Sequence, residues 1–337
     1  MKRMFLYAGG CLVIVFCVVY WLFFAAISSA DETVFVKIDA DDNVDSVYAK
    51  VKNISHAVTY AGFKLTAKAM GYDNHVRTGR YEVNTNIGAF RLLRHLKNRQ
   101  QAPVRLTIPT VRTVERLASE LSKQLMPDST AWANALQSEA FCKALGYDTS
   151  TIMCVFIPNT YEVYWDVTPE KFLQKMKKES DAFWTSSRRQ KAADAGLTPN
   201  EVIVVASIVE QETANNAEKP MIAGMYLNRY HKGMKLQADP TVKFATKQFQ
   251  LRRISGSILF TDSPYNTYKY AGLPPGPICI PSMASIESVL NYVQHDYLYM
   301  CAKEDFSGTH NFARTYAEHQ KNAQKYTDAL NKRGIME

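Results

Sequence analysis

Hydrophobic and polar positions divide the chain into stretches of different rhythm. From Met4 to Ala30 no charge interrupts an apolar run, FLYAGGCLVIVFCVVYWLFFAAI at its centre, which is long enough to cross a bilayer as a helix. Lys2 and Arg3 precede it while Asp31 and Glu32 follow, so the positive-inside tendency puts the N-terminus in the cytoplasm and the remainder outside. Ser28-Ser29-Ala30 would also suit signal-peptide cleavage, but the run exceeds an h-region of about 7 to 15 residues, which favours a retained single-pass anchor over residues 1–30. Beyond it, Thr33–Ile38 predicts a strand, Asp41–Val51 and Ala57–Met70 two helices, Thr78–Val83 a strand and Ile87–Leu96 a helix. These make a small α+β module over residues 31–108. Val104–Ile108 predicts another strand, Val114–Leu125 an amphipathic helix, Asp128–Leu145 a further helical segment and Pro169–Lys178 a charged helix. Residues 109–197 carry no signal that assigns them to the module before or to the domain after.

The strongest single pattern is TPNEVIVVASIVEQET, Thr198 to Thr213. Thr198 suits an N-cap, Pro199 the first helical position and Glu201 the third place of a capping box. Val202–Val209 is apolar on every side except at Ser207, which describes a helix buried inside a domain. Glu210 and Glu212 emerge at its end, and a carboxyl leaving a dry turn keeps its proton more readily, the state a general acid needs. Two positions on a helix differ by about 200°, so one cleft cannot take both acids. Downstream, Pro220–Tyr230 predicts a helix with Ile222, Met225, Tyr226 and Arg229 on one face, Pro281–Val293 another, Tyr297–Cys301 a strand, and His310–Lys332 closes the chain with a long polar helix after Phe312. Between them lie loop signatures rich in hydrogen-bonding groups: Gln237-Ala238-Asp239-Pro240-Thr241, Tyr265-Asn266-Thr267-Tyr268 and Leu273-Pro274-Pro275-Gly276-Pro277.

Composition narrows the reading. With 337 residues, 47% of them hydrophobic, the chain can bury more than one core. Its formal charge of +8 is a mild excess, and no basic block is interleaved with aromatics as a nucleic-acid site requires. Cys142, Cys154, Cys279 and Cys301 lie beyond the anchor; no CxxC is present, so zinc is not expected, and disulfides and packed thiols both remain open. His310 and His319 are too far apart for a helical metal pair and suit packing or capping. No cofactor and no metal are expected.

Six pieces resemble the MltG/YceG-like family of endolytic murein (lytic) transglycosylases: Ala206-Ser207-Ile208-Val209-Glu210-Gln211-Glu212-Thr213, Asn228-Arg229, Leu236–Val242, Tyr265–Tyr268, Gly272–Ile278, and His310-Asn311-Phe312 with His319, in register over roughly 197–330. The resemblance implies a mixed α+β fold: a transmembrane helix, a LysM-like module at 31–108 that helps hold glycan, and a catalytic domain at 109–337. It assigns the catalytic acid to Glu212. Supporting or substrate-binding roles fall to Glu210, Asn228, Arg229, Gln237, Asp239, Thr241, Tyr265, Asn266, Thr267, Tyr268, Pro275 and Gly276. The implied partners are peptidoglycan glycan strands, the inner membrane and peptidoglycan synthases, with the catalytic part on the periplasmic side of a bacterial cell membrane. Thr110-Val111, Asn159 and a missing Glu-Gly pair depart from the family pattern in the upstream half. Two other readings stay open: a muramidase-type hydrolase using Asp239 as second carboxylate, and a non-catalytic wall-binding scaffold.

Overall fold

In the computed structural model, which describes residues 2–251, 254 and 256–333, with side chains from Tyr7 onward, the N-terminal apolar run forms helix α1 (Lys2–Phe23) and then leaves the helix. The side chains of Lys2 and Arg3, on which the expected orientation rests, and of Met4–Leu6 lie outside the described residues, as do the last four residues of the expected catalytic domain. The end of the run is tied into a folded module. Ile27 is buried, its N–H donates to the Ile87 carbonyl at 2.8 Å, and its own carbonyl accepts from the His56 N–H at 3.0 Å. That corrects the expectation of one uninterrupted span to Ala30: the N–H groups of Ile27 and Ser29 find partners in neighbouring segments instead of along a helix. Among the described residues no single helix is long and apolar enough to cross a membrane.

The chain divides into two units, the first comprising residues 1–106, 123–127 and 161–168. Within it β1 (Val34–Ile38) runs antiparallel to β2 (Gly79–Val83), Val34 opposite Val83 and Ile38 opposite Gly79. Helices α2 (Val44–Lys52), α3 (Ala57–Ala69) and α4 (Ala89–Lys97) cover the pair, and Val47, Val51, Phe63, Leu92 and Leu93 fill the space between. Asn43 opens α2 by accepting the Ser46 N–H at 2.9 Å. A Cβ on Gly62 would stand 1.9 Å from the Leu22 carbonyl oxygen, so glycine is what lets the end of α1 sit on α3. β3 (Val104–Thr107) pairs with β4 (Thr160–Val163). Buried Asp166 fastens the loops of this unit, accepting from Thr78 at 2.7 Å, Arg99 at 2.6 Å and Gln101 at 3.0 Å.

The second unit takes residues 107–122, 128–160 and 169–337. It opens with α5 (Val114–Ser122), which stops short of Leu125. The expected segment to Leu145 is two helices, α6 (Ser129–Gln137) and α7 (Glu139–Ala144), because the Ser138 hydroxyl accepts the Phe141 N–H and starts a new helix there. After α8 (Pro169–Phe183) and α9 (Ser186–Asp194) comes α10 (Pro199–Glu212), followed by α11 (Lys219–His231). Next are α12 (Asp239–Thr246), α13 (Met283–Leu290), β5 (Tyr299–Ala302), β6 (His310–Ala313) and α14 (Tyr316–Lys332). Two of these correct the sequence reading. Asp239-Pro240 is not loop: proline fits the first turn of a helix, and here it opens α12. His310–Ala313 precedes the last helix as a strand antiparallel to β5, Tyr299 opposite Ala313 and Ala302 opposite His310.

Helix α10 is the axis of this unit, packed by α11 and α13. Both halves of its capping box are formed: Thr198 accepts the Glu201 N–H, and the Glu201 carboxylate accepts the Thr198 N–H at 2.7 Å. Every residue from Val202 to Val209 is buried. Ser207, the one polar member, donates to the Val204 carbonyl at 2.7 Å and accepts the Ile278 N–H at 3.0 Å, so its hydroxyl is not left bare in the core. The architecture is a helix-rich α+β fold with small two-stranded sheets.

Candidate active site

The buried helix ends where its two acids begin to diverge. Glu212 is the last residue of α10, since Thr213 turns to extended backbone and its hydroxyl accepts the Asn215 N–H at 3.0 Å. Glu210, on the other side, is gripped by unit-internal partners: Lys219 at 3.1 Å, the Ser282 N–H at 3.1 Å, and the hydroxyls of Ser282 and Ser285. Burial alone would raise its pKa, but those serine and lysine hydrogen bonds outweigh it and hold the carboxylate below its usual range. Glu210 therefore stays ionised and fixes α10 against α11 and α13.

Glu212 has the opposite surroundings. Burial pushes its pKa up to about 7, the neighbouring Asp239 charge adds to the rise, and a hydrogen bond from the Tyr226 hydroxyl at 2.5 Å to Oε1 only partly offsets it. Its carboxyl opens on a cleft of about 410 Å³. From α11 come Tyr226 and Arg229; Asp239 stands at the start of α12, and the Tyr268 hydroxyl donates to it at 2.5 Å. Arg229 is buried and spends its donors on the carbonyls of Lys235 and Leu298, at 2.8 to 2.9 Å, and on the Gln237 side chain. Gln237 has a left-handed backbone, φ 51°, held by that arginine and by its own N–H on the Thr267 carbonyl at 3.1 Å. The far wall comes from β5, β6 and α14, with Tyr299, His310, Tyr316 and His319. His310 is set by Glu218, which accepts its N–H at 2.6 Å and pairs with ring Nδ1 at 2.9 Å.

The remaining expected residues lie outside the cleft lining and bond to the segments around it. Asn228 donates to the His295 carbonyl at 2.6 Å and the Tyr297 carbonyl at 3.1 Å, pinning the approach to β5. Thr241 and Thr267 share a buried hydroxyl contact at 2.8 Å, and Thr267 also accepts the Ala238 N–H at 3.0 Å, so α12 is clasped to the tyrosine loop. Asn266 is fully buried and donates to the carbonyls of Leu259 and Thr261. Tyr265 packs its ring 4.8 Å from that of Phe244. The Pro275 carbonyl accepts from Ser150, and Gly276 lies so close to the Ser150 carbonyl that a Cβ would meet it at 1.9 Å. Of the expected set, the structure gathers Glu212, Arg229, Gln237, Asp239 and Tyr268 at the cleft. Sequence reading missed Tyr226, Tyr299, Tyr316 and the two histidines as cleft residues. Tyr226 was within reach, because it shares a helix face with Arg229.

The cysteines at 142, 154 and 279 are free thiols packed in the core, and Cys301 is free at the cleft wall. Burial pushes the Cys279 thiol up to about 12, so it behaves as an inert packing group.

The model of the YceG-like family matches residues 36–325. The endolytic murein transglycosylase of Bacillus subtilis is 34% identical over 168 residues, covering 50% of this chain and 46% of that protein. The endolytic murein transglycosylase of Streptococcus pneumoniae strain R6 is 27% identical over 304 residues, covering 79% of this chain and 53% of its own length. The chain thus spans about half the length of the curated relatives it matches. A crystal structure of a yceG-like protein from Listeria monocytogenes superposes with a TM-score of 0.55 at 25% identity, over 87% of this chain and 99% of that one. The chain belongs to the YceG-like family.

Proposed function

We propose that this protein is an endolytic peptidoglycan lytic transglycosylase that cuts the bond between N-acetylmuramic acid and N-acetylglucosamine within a glycan strand, with Glu212 as its only proton carrier. The observation that carries the reading is Glu212 itself, a carboxyl whose pKa burial pushes up to about 7 at the wall of a cleft of about 410 Å³. The relatives named endolytic murein transglycosylase support it. Protonated Glu212 gives its proton to the glycosidic oxygen as the bond from that oxygen to C1 breaks. The resulting carboxylate takes the proton of the same sugar's 6-hydroxyl as that oxygen bonds to C1. A 1,6-anhydro ring closes, no water is consumed, and Glu212 ends protonated as it began. Gln237 and the Tyr268–Asp239 pair orient the strand, and Arg229 holds Gln237 in place. Asp239 shares the cleft, which supports hydrolysis as the second reading, since a hydrolase needs a second carboxylate.

The proton-bound form is the one that starts the reaction, so cleavage proceeds at pH below about 7 and falls about tenfold per pH unit above it. The Tyr226 hydroxyl favours the ionised carboxylate. Tyr226→Phe therefore moves the alkaline limb of a pH–rate profile upward, by roughly half to one pH unit. A profile whose alkaline limb does not respond to Tyr226→Phe would assign the proton to another group.

The rest of the chain fits delivery of this acid to the wall. Helix α1 carries exposed Leu12, Phe16 and Trp21, apolar side chains that support attachment of this end of the chain to the cell membrane. Lys2 and Arg3 ahead of the apolar run support a catalytic unit outside. The β1-α2-α3-β2 order of the first unit supports a LysM-like module that holds glycan, and a place beside peptidoglycan synthases follows from a substrate still being made.

A further inference from the structure

One buried polar atom in the cleft has no part in the chemistry above. His319 stands in the first turns of α14, its ring stacked on Tyr299 with centroids 5.5 Å apart and planes 23° apart, and 6.2 Å from the ring of Tyr316. Its Nδ1 is sealed from solvent and has no hydrogen-bond partner. A buried N–H without an acceptor loses a full hydrogen bond to water, whereas a bare ring lone pair is the lesser loss. The proton of the neutral ring therefore belongs on Nε2. Burial first, and the Arg229 guanidinium second, hold the pKa of this imidazole below its usual value, which keeps it neutral. The ring thus brings a single uncharged N–H donor to the cleft. Beside it Tyr316 is 59% exposed, an open aromatic face at the edge of the same cleft.

We propose that Tyr299, Tyr316 and His319 form a subsite for one N-acetylhexosamine ring of the strand, its C–H face on Tyr316 and its acetamido carbonyl accepting from His319 Nε2. An N–H donor calls for an acceptor, and the acetamido carbonyl oxygen is a pure acceptor that every ring of such a polymer repeats. Flat aromatic faces suit the apolar side of a pyranose. The inference rests on the transglycosylase reading for the identity of the polymer, yet binding can be measured without turnover.

The test uses the full chain in detergent carrying Glu212→Gln, with a tetramer of N-acetylglucosamine and its de-N-acetylated counterpart as probes. Adding His319→Phe keeps the ring stack and removes both nitrogens. It should weaken binding of the N-acetylated probe about tenfold, leave the other probe within about twofold, and melt no lower than its parent because an unpartnered buried nitrogen has gone. His319→Gln, which returns an N–H donor, should recover part of the loss. With Glu212 intact, His319→Phe should raise KM with little change in kcat. Unchanged binding of the N-acetylated probe, equal losses for both probes, or no binding of that probe by the parent would each overturn the subsite. If the binding pattern holds while the unsubstituted protein cleaves no strand, the transglycosylase reading is what fails.

Discussion

Glu212→Gln is expected to lower strand cleavage by about 10³-fold or more, while the folded protein becomes more stable at pH 8. The rate effect follows from removing the group that serves as acid and then as base, each role contributing on the order of 10² to 10⁴ in comparable reactions. The stability effect follows from linkage. A carboxyl whose pKa stands at about 7 in the folded chain, against 4.5 ordinarily, binds a proton that the unfolded chain has already released between those pH values. Its contribution is complete below about pH 4.5 and is lost as pH rises through 7. Glutamine keeps an acceptor for Tyr226 and removes the ionisation, so the gain should be roughly 2 to 3 kcal/mol at pH 8 and near zero at pH 4. Urea unfolding at the two pH values reads it. An inactive variant that is less stable at pH 8 would mean Glu212 is ionised and structural.

Glu210→Ala should do the reverse, unfolding the second unit more easily by about 3 to 5 kcal/mol. The Lys219 side chain is 3% exposed and that of Glu210 17%, so truncating the acid leaves a buried ammonium with, among the described residues, the Ser282 hydroxyl as its one remaining partner. Ser282 and Ser285 lose their acceptor at the same stroke. Removing both charges, as Glu210→Leu with Lys219→Met, should recover a large part of the loss, because a matched apolar pair leaves no uncompensated ion. Denaturant midpoints of the two variants and the parent decide this. Equal stability of Glu210→Ala and parent would mean the ion pair is solvated and contributes nothing.

The contrast between these two acids was legible at Thr198–Thr213 alone, in that a helix buried all round cannot aim both into one cleft. Which acid goes where was not, because the partners that decide it, Lys219, Ser282 and Ser285 on one side and Tyr226 on the other, are brought in by packing of α11 and α13. Periodicity also recovered the βααβ order of the first unit and most of the long helices. It failed where short elements carry no period. The four-residue strand β6 mixes polar and apolar positions, and α12 is opened by the same Asp-Pro dipeptide that reads as a turn. Only the pairing of β6 with the expected strand β5 sets His310 beside Tyr299 and turns α14 with Tyr316 and His319 toward the cleft, and that pairing has no signal in the local pattern. Several loop residues that read as sugar contacts, Thr241, Asn266 and Thr267 among them, are buried and bonded to their own loops. Hydrogen-bonding capacity in a loop reports the loop's architecture at least as often as its ligand.

In a lytic transglycosylase the sugar's own hydroxyl, and not water, takes the anomeric carbon. Digestion of purified glycan strands by the full chain in heavy-oxygen water, with product ends read by mass, tests that directly. A lytic transglycosylase acting through Glu212 yields 1,6-anhydro ends that carry no heavy oxygen, and Glu212→Gln yields none. Reducing ends labelled with heavy oxygen would contradict it and move the chemistry to hydrolysis with Asp239.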